Sequence, residues 1–223
     1  MAPDLPDPRP RGAPARYVPL AWPTGTMFRL VPRTVPLKLD LVELLEQRQT
    51  RRKFANAPSA TSLGEFLWLA CRNRSSRPSQ FGPDQESRSH PSAGAMHPIH
   101  VLVACDGGPW MRYVPVEHAL AEIPGSNASA TALREASHQL VDVGRAALVG
   151  LVAEPGKTAA KYEHHETLVW RDAGVVLGYM SLVAEALGLS FCPLGLTGRP
   201  QLTEFLPESQ AMHGVGLSVL GRD

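Results

Sequence analysis

The stretch from about Leu168 to Leu187 constrains the fold more than any other part of the chain. It is apolar nearly all round, the pattern of a helix buried at the centre of a domain, and Gly188 suits the left-handed residue that ends such a helix. Its longest apolar run, Ala173 to Ala184, is bracketed by Asp172 and Glu185. A bilayer needs about 20 apolar residues, so this helix is expected inside a soluble domain.

The other segments must pack around it. Leu37, Leu41, Leu44 and Leu45 recur at helical spacing, which predicts a helix from about Lys38 to Gln47 with Asp40 in its first turn. Ser62-Leu63-Gly64-Glu65 has capping-box spacing and predicts a second helix that buries Phe66, Leu67, Leu69 and Ala70. Residues 74–90 are polar with Pro and Gly and read as a loop. Ile99 to Ala104 reads as a strand, turned by Asp106-Gly107-Gly108-Pro109 into another over Trp110 to Val114. Further on come a helix over Thr131 to Val143, a buried strand over Ala147 to Ala153, a short helix over Gln201 to Leu206 and a strand over Gly214 to Leu220. Helices and strands mix without a regular βαβ alternation. The fold class expected is therefore α+β with a largely antiparallel sheet flanked by helices.

At 223 residues the chain is slightly longer than one typical domain. Residues 1–36 carry nine prolines, with Arg9, Arg11 and Arg16 between them. Proline removes backbone donors and favours extended chain, so this reads as an arm, disordered or draped over a partner subunit, ahead of one domain over 37–223. A net charge of +1 gives no broad basic field for nucleic acid. Cys71, Cys105 and Cys192 form no CxxC pair, which argues against a disulfide framework and a zinc site. The N-terminus has no apolar core for a signal sequence, and the chain reads as cytoplasmic, without membrane attachment.

Three segments carry candidate chemistry. Arg48-Gln49-Thr50-Arg51-Arg52-Lys53-Phe54 sets guanidinium forks beside a hydroxyl, a pattern that suits phosphate oxygens and equally a solvated surface. Pro91-Ser92-Ala93-Gly94-Ala95-Met96-His97-Pro98 leads straight into a strand. Its small residues would let backbone amides approach a flat ligand, or simply form a turn. Lys161-Tyr162-Glu163-His164-His165 precedes the central helix, and Lys and Tyr can exchange protons there, or merely end a polar helix. Adjacent histidines on a helix point apart, so no metal site is expected at His164 and His165. The phosphate-loop, Rossmann, zincin and nucleophile-elbow templates are absent.

In order and spacing these segments resemble the nitroreductase superfamily, and within it the SagB-type (azoline dehydrogenase) branch. Residues 48–54 look like R-R-S-x-R-x-F, and residues 91–98 look like P-S-A-G-A-L-Y-P. Lys161-Tyr162 with Arg171-Asp172-Ala173-Gly174 is similar to K-Y followed by L-E-A-G-H. Ala184-Glu185-Ala186-Leu187-Gly188-Leu189 with Cys192-Pro193-Leu194-Gly195 matches A-x-A-L-G-L-x-x-C-P-x-G, and Val219-Leu220-Gly221-Arg222 resembles the closing V-G-R.

The resemblance implies an interlocked homodimer with FMN at each end of the interface. It implies that Arg48, Thr50 and Arg52, with Gln49 adjacent, hold the phosphate and ribityl chain. The backbone from Pro91 through Ser92, Ala93, Gly94 and Ala95 would lie along the isoalloxazine ring. Leu194 and Gly195 would approach the flavin of the other subunit, and Arg222 would reach the phosphate. Lys161 and Tyr162 inherit the catalytic role of the azoline dehydrogenases. The substrate implied is a modified peptide whose thiazoline or oxazoline becomes an azole, with a cyclodehydratase as a possible partner.

The sequence departs from the branch at Gln49, Thr50, His97, His165 and Asp172, where Arg, Ser, Tyr, Arg and Glu are usual. Ala95 stands where ordinary nitroreductases carry Asn. Two other readings stay open: an NAD(P)H-dependent nitro or flavin reductase, and a flavin-free scaffold that binds a partner enzyme or peptide.

Overall fold

The computed structural model describes residues 5–33 and 37–223; residues 1–4 and 34–36 of the proline-rich segment lie outside them. In chain order the elements are β1 (Arg9–Pro10), β2 (Met27–Arg29), α1 (Leu41–Gln47), α2 (Ala60–Cys71), β3 (Asn73–Arg77), β4 (Gln85–Arg88), β5 (Ile99–Ala104), β6 (Met111–Val114), β7 (Ala119–Glu122), α3 (Asn127–His138), β8 (Ala147–Ala153), α4 (Pro155–Ala159), β9 (Tyr162–Glu163), α5 (Glu166–Ala186), β10 (Ser190–Leu194) and β11 (His213–Gly221). Seven strands form one sheet in the order β10-β11-β8-β5-β6-β7-β2, and every neighbouring pair is antiparallel. The chain is thus α+β with a large antiparallel sheet, as the irregular mix of helices and strands predicts.

The sheet is buried on both faces because its central strands carry apolar side chains at most positions. On β5 and β8, Val101, Val103, Val149 and Leu151 point to one face. Leu102, Ala104, Leu148 and Val152 point to the other. This is the period-2 alternation of a strand with two apolar faces. The first face is covered by α2 through Phe66, Leu67 and Ala70, and by α5 through Val176, Met180 and Ala184. The second is covered by α3 through Ala130 and Leu133, and by the 202–212 segment through Leu202, Leu206 and Met212.

Several sequence expectations shift. Helix α1 starts at Leu41, because the Asp40 carboxylate caps it by accepting from the Glu43 amide at 3.0 Å. Helix α2 is capped one turn earlier than the Ser62-Glu65 box implies. Ser59 accepts from the Ser62 amide at 3.1 Å, while Glu65 instead pairs with Arg33 at 2.6 Å. Helix α3 begins at Asn127, since the Ala130 amide already donates to Ser126. Residues 201–206 form turns rather than a helix. The expected loop over 74–90 contains the β3–β4 hairpin, invisible to an apolar-pattern reading because its strands are largely exposed and polar. Strand β7, Ala-Leu-Ala-Glu, was missed because alanine carries little strand signal.

The proline-rich segment also differs from expectation, for its described residues are stitched to their own chain. Strand β1 pairs with β9, setting Arg9 opposite Glu163 and Pro10 opposite Tyr162. Strand β2 pairs with β7 and forms one edge of the main sheet. Between them the Tyr17 hydroxyl and the Leu20 amide both donate to the buried Glu154, at 2.9 and 2.7 Å. Proline spacing alone cannot show such long-range anchors.

Helix α5 runs from Glu166 to Ala186, and Gly188 ends it at φ 61° as expected. It is not enclosed all round. One stripe faces the core, while Trp170 and Tyr179, on its two flanks, remain 45% and 37% exposed. Helix α1 buries none of its residues, and Leu41, Val42 and Leu45 stand open.

Candidate functional site

The segment after Pro91 folds into a tight turn held from α5. Asp172, buried in the first half of that helix, accepts from the Ser92 hydroxyl at 2.6 Å and from the Ala93 amide at 3.0 Å. Burial pushes the Asp172 pKa up, and the Ser92 and Ala93 donors pull it back. Within the turn the Ala95 amide donates to the Ser92 carbonyl, and the His97 amide to the Ser92 hydroxyl oxygen. The amides of Ala93 and Ala95 are therefore engaged within the chain.

Three residues of the turn take left-handed backbone: Gly94 at φ 61°, Ala95 at 58° and His97 at 44°. Only glycine adopts that region without strain, and such strain gathers where a site demands a particular shape.

Gly94 is where two sequence motifs meet. A Cβ on it would stand 2.8 Å from Lys161 Nζ and from the Tyr162 hydroxyl. Lys161 Nζ donates to the Gly94 carbonyl at 3.2 Å and lies 5.2 Å from the centre of the Phe81 ring. Gln85, on β4, donates to the same carbonyl at 3.2 Å. Strand β9, tied down by β1, fixes the Lys161-Tyr162 backbone beside this turn.

Three clefts adjoin one another across this side of the molecule. The first, about 760 Å³, is lined by Gln49, Thr50, Arg51, Arg52, Lys53 and Arg222 among others. Arg51 is committed to Glu185, whereas Arg48 and Arg52 form no ion pair among the described residues. Arg222 is steered by a 2.8 Å hydrogen bond to Ser62. Thr50 also lines the second cleft, a trough of about 620 Å³ that runs past Arg48 and Pro91 along the open face of α5. Gly178 leaves that face bare, for a Cβ there meets nothing within 4 Å. Pro91 and Tyr179 lead into the third cleft, about 630 Å³, where Ser92, Ala95 and His97 meet the β3–β4 hairpin.

A cationic end followed by an apolar trough fits an anionic tail carrying a flat ring system, so the donor set suits a flavin nucleotide. Leu194 and Gly195, at the end of edge strand β10, line none of these clefts.

Sequence reasoning missed part of the third cleft. His90 and His97 are both buried there, their ring centres 5.1 Å apart, and Tyr179 lies 6.3 Å from His90. Burial, aided by the Arg88 charge, lowers the His90 pKa to about 4 and the His97 pKa to about 3, so both rings are neutral at pH 7. The only signal available was His97 itself, at the position where the resembling branch carries Tyr. Among the described residues no group of His, Cys, Asp or Glu could hold a metal ion. No helix among them is long and apolar enough to cross a membrane.

A family model described as the nitroreductase family matches residues 45–219. The chain belongs to the nitroreductase family. That match takes in the second and third clefts, the first except for Arg222 and Asp223, and the Lys161-Tyr162 pair.

Among solved structures, a nitroreductase from Ralstonia eutropha JMP134 superposes with a TM-score of 0.69 over 94% of this chain and 97% of its own, at 23% identity. The Escherichia coli microcin synthetase McbBCD complex with truncated pro-MccB17 bound gives a TM-score of 0.62 at 16% identity, covering 86% of this chain and 75% of that one. A nitroreductase in complex with FMN from Desulfovibrio desulfuricans gives 0.52 at 17% identity, covering 83% and 87%. At these identities the likeness speaks for the nitroreductase fold alone. None of the curated proteins matches the sequence.

Proposed function

We propose that this nitroreductase-family protein is an FMN-dependent dehydrogenase that oxidises a peptide-borne azoline to an azole. The observation that carries the reading is the convergence of Lys161 and Tyr162 on Gly94, in the turn that borders the second and third clefts. A proton-handling pair held on the turn that walls the clefts, although lining none of them, supplies what abstraction from a ring carbon requires. The FMN complex among the structural neighbours supports the cofactor, and the microcin synthetase neighbour, solved with a precursor bound, supports a peptide substrate.

In this reading Arg48, Gln49, Thr50, Arg52 and Arg222 hold the phosphate and ribityl end, and the trough beside Pro91 and Gly178 takes the ring. Bound there, FMN supplies the acceptor for the hydride that leaves the azoline carbon. Lys161 Nζ, assisted by the Tyr162 hydroxyl, receives the proton from the adjacent carbon. One C–H bond gives up a hydride and the other a proton, which leaves a new double bond in the ring. The Asp172 grip on Ser92 and Ala93 keeps the turn in register with both residues.

The active unit is a homodimer. The open apolar faces of α1 and α5 support this, because contiguous apolar surface of this kind marks an interaction site. Leu194 and Gly195, which follow Pro193 of the second cleft but line none of the clefts of their own chain, would then complete the site of the partner. A cyclodehydratase that forms the azoline is the partner enzyme that the chemistry calls for.

Purified protein is expected to be yellow, with a flavin spectrum. Lys161→Ala and Tyr162→Phe should each slow azole formation by roughly 10²- to 10⁴-fold while the spectrum persists. Unchanged turnover in both variants would sink the assignment. Rapid bleaching by NAD(P)H would favour a reductase instead, and a colourless protein that takes up no FMN would favour a scaffold.

A further inference from the structure

Lys161 stands between α4, five residues long, and β9, two residues long. Elements this short do not hold themselves in place, and the last carbonyls of any helix lack partners within it. Here the partners come from the proline-rich segment. The carbonyls of Ala159, Ala160 and Lys161, in a row, accept from Arg11 Nε at 2.6 Å, the Ala15 amide at 3.0 Å and the Arg11 amide at 2.9 Å. Strand β1 continues the contact onto Tyr162 and Glu163.

The strip is fastened at Tyr17. Its hydroxyl donates at 2.9 Å to Glu154, the residue just ahead of α4. Glu154 is a firm anchor, fully buried and also accepting from His100 Nε2 at 2.7 Å. Burial works against its charge, yet the His100 hydrogen bond and the Lys157 charge hold its pKa down to about 2. The Tyr17 ring packs on Gly156 of α4 so closely that a Cβ there would overlap it. The Tyr17 backbone packs as closely on Gly82, and its amide donates to the Phe81 carbonyl at 2.9 Å. Phe81 carries the ring that lies 5.2 Å from Lys161 Nζ. One residue thus joins the two pieces that locate this ammonium: the helix that delivers it and the aromatic ring beside it.

We infer that Tyr17 is a positioning residue for Lys161, locking α4 to the Phe81 loop so that Nζ is held at the Gly94 carbonyl. This role rests on the reading of Lys161 as the proton acceptor. Tyr17 lines none of the three clefts and acts through Lys161. Released from that grip, the lysine would drift from the ring carbon, and a displacement of about 1 Å can cost about 10²-fold in rate.

Two variants approach the contact from opposite sides. Tyr17→Ala removes the ring, and Gly156→Ala evicts it while giving α4 a better helix former. In the purified full chain, acetic anhydride should acylate Lys161 several-fold faster in both variants than in the unaltered protein, measured against exposed Lys38 by peptide mass spectrometry. Azole formation should lose about 10²-fold in kcat with KM little changed, since the lining of the clefts is untouched. Tyr17→Phe keeps the ring, loses the hydroxyl and should fall between. A Tyr17 with only a structural role would lower the unfolding midpoint and leave Lys161 labelling in the folded chain unchanged; that result overturns the inference. Should the first two variants not fold, Tyr17→Phe must still raise the labelling, and an unchanged rate there is equally fatal. Faster labelling in a protein that forms no azole would end the dehydrogenase reading and leave the lock standing.

Discussion

At the scale of single residues, the turn at Gly94 concentrates the constraints. Gly94→Ala adds a Cβ in left-handed backbone, 2.8 Å from Lys161 Nζ and the Tyr162 hydroxyl. Both side chains must retreat, so azole formation should fall by at least tenfold while the flavin spectrum stays, checked by turnover and absorbance on one preparation. The buried histidines set a pH response. His90 and His97 titrate near 4 and 3 in the fold, against 6.5 when unperturbed. The unfolded chain therefore binds protons that the fold refuses. Their contribution to stability is complete above about pH 6.5 and is lost as acid carries the protein toward those folded values, by up to about 1.4 kcal/mol per pH unit for each ring. Urea unfolding at steps from pH 7 to 5 should show the decline, and His97→Gln should flatten it.

Among elements, the start of α2 separates a cap from an anchor. Ser59 satisfies the Ser62 amide, so Ser59→Ala should lower stability by about 1 kcal/mol, seen in denaturant unfolding. Ser62 instead steers Arg222 at the rim of the cationic cleft. Ser62→Ala should weaken FMN binding several-fold in a flavin titration, with a smaller loss of stability than Ser59→Ala. Equal effects of the two variants on flavin affinity would contradict the steering role. The capping-box reading picked Ser62 because sequence spacing alone cannot tell which of two serines three residues apart meets the free amide and which points to a distant arginine.

For the whole molecule, the open stripe on α5 and the bare helix α1 mark a surface that a second copy would cover. Val42, 68% exposed on α1, sits within it. Val42→Asp places a charge in that seam and should shift the protein from dimer to monomer in light scattering. Flavin retention should fall with it, since Leu194 and Gly195 would no longer reach the partner's site. The proline-rich segment acts at this scale as well. Through β1, β2 and the donors on Glu154 it forms one sheet edge, steadies strand β9 and covers a cavity of about 300 Å³ with Leu20 and Trp22.

The sequence by itself determined what rests on local pattern. The run Ala147–Ala153, apolar at every position, could only be a strand buried on both faces, and the stretch ended by Gly188 could only be a long helix beside it. The motifs around Arg48, Ser92 and Lys161 were legible as chemistry, because residue types in a fixed order survive without knowledge of distance. Tertiary structure alone decided which groups meet. That Asp172 would grip Ser92, that Gly94 would touch Lys161, that the β3–β4 hairpin would wall a cleft and that prolines would roof another all depend on contacts between residues far apart in the chain. Periodicity reports which face of an element is apolar; what that face or a polar side chain meets is set only when every element has packed.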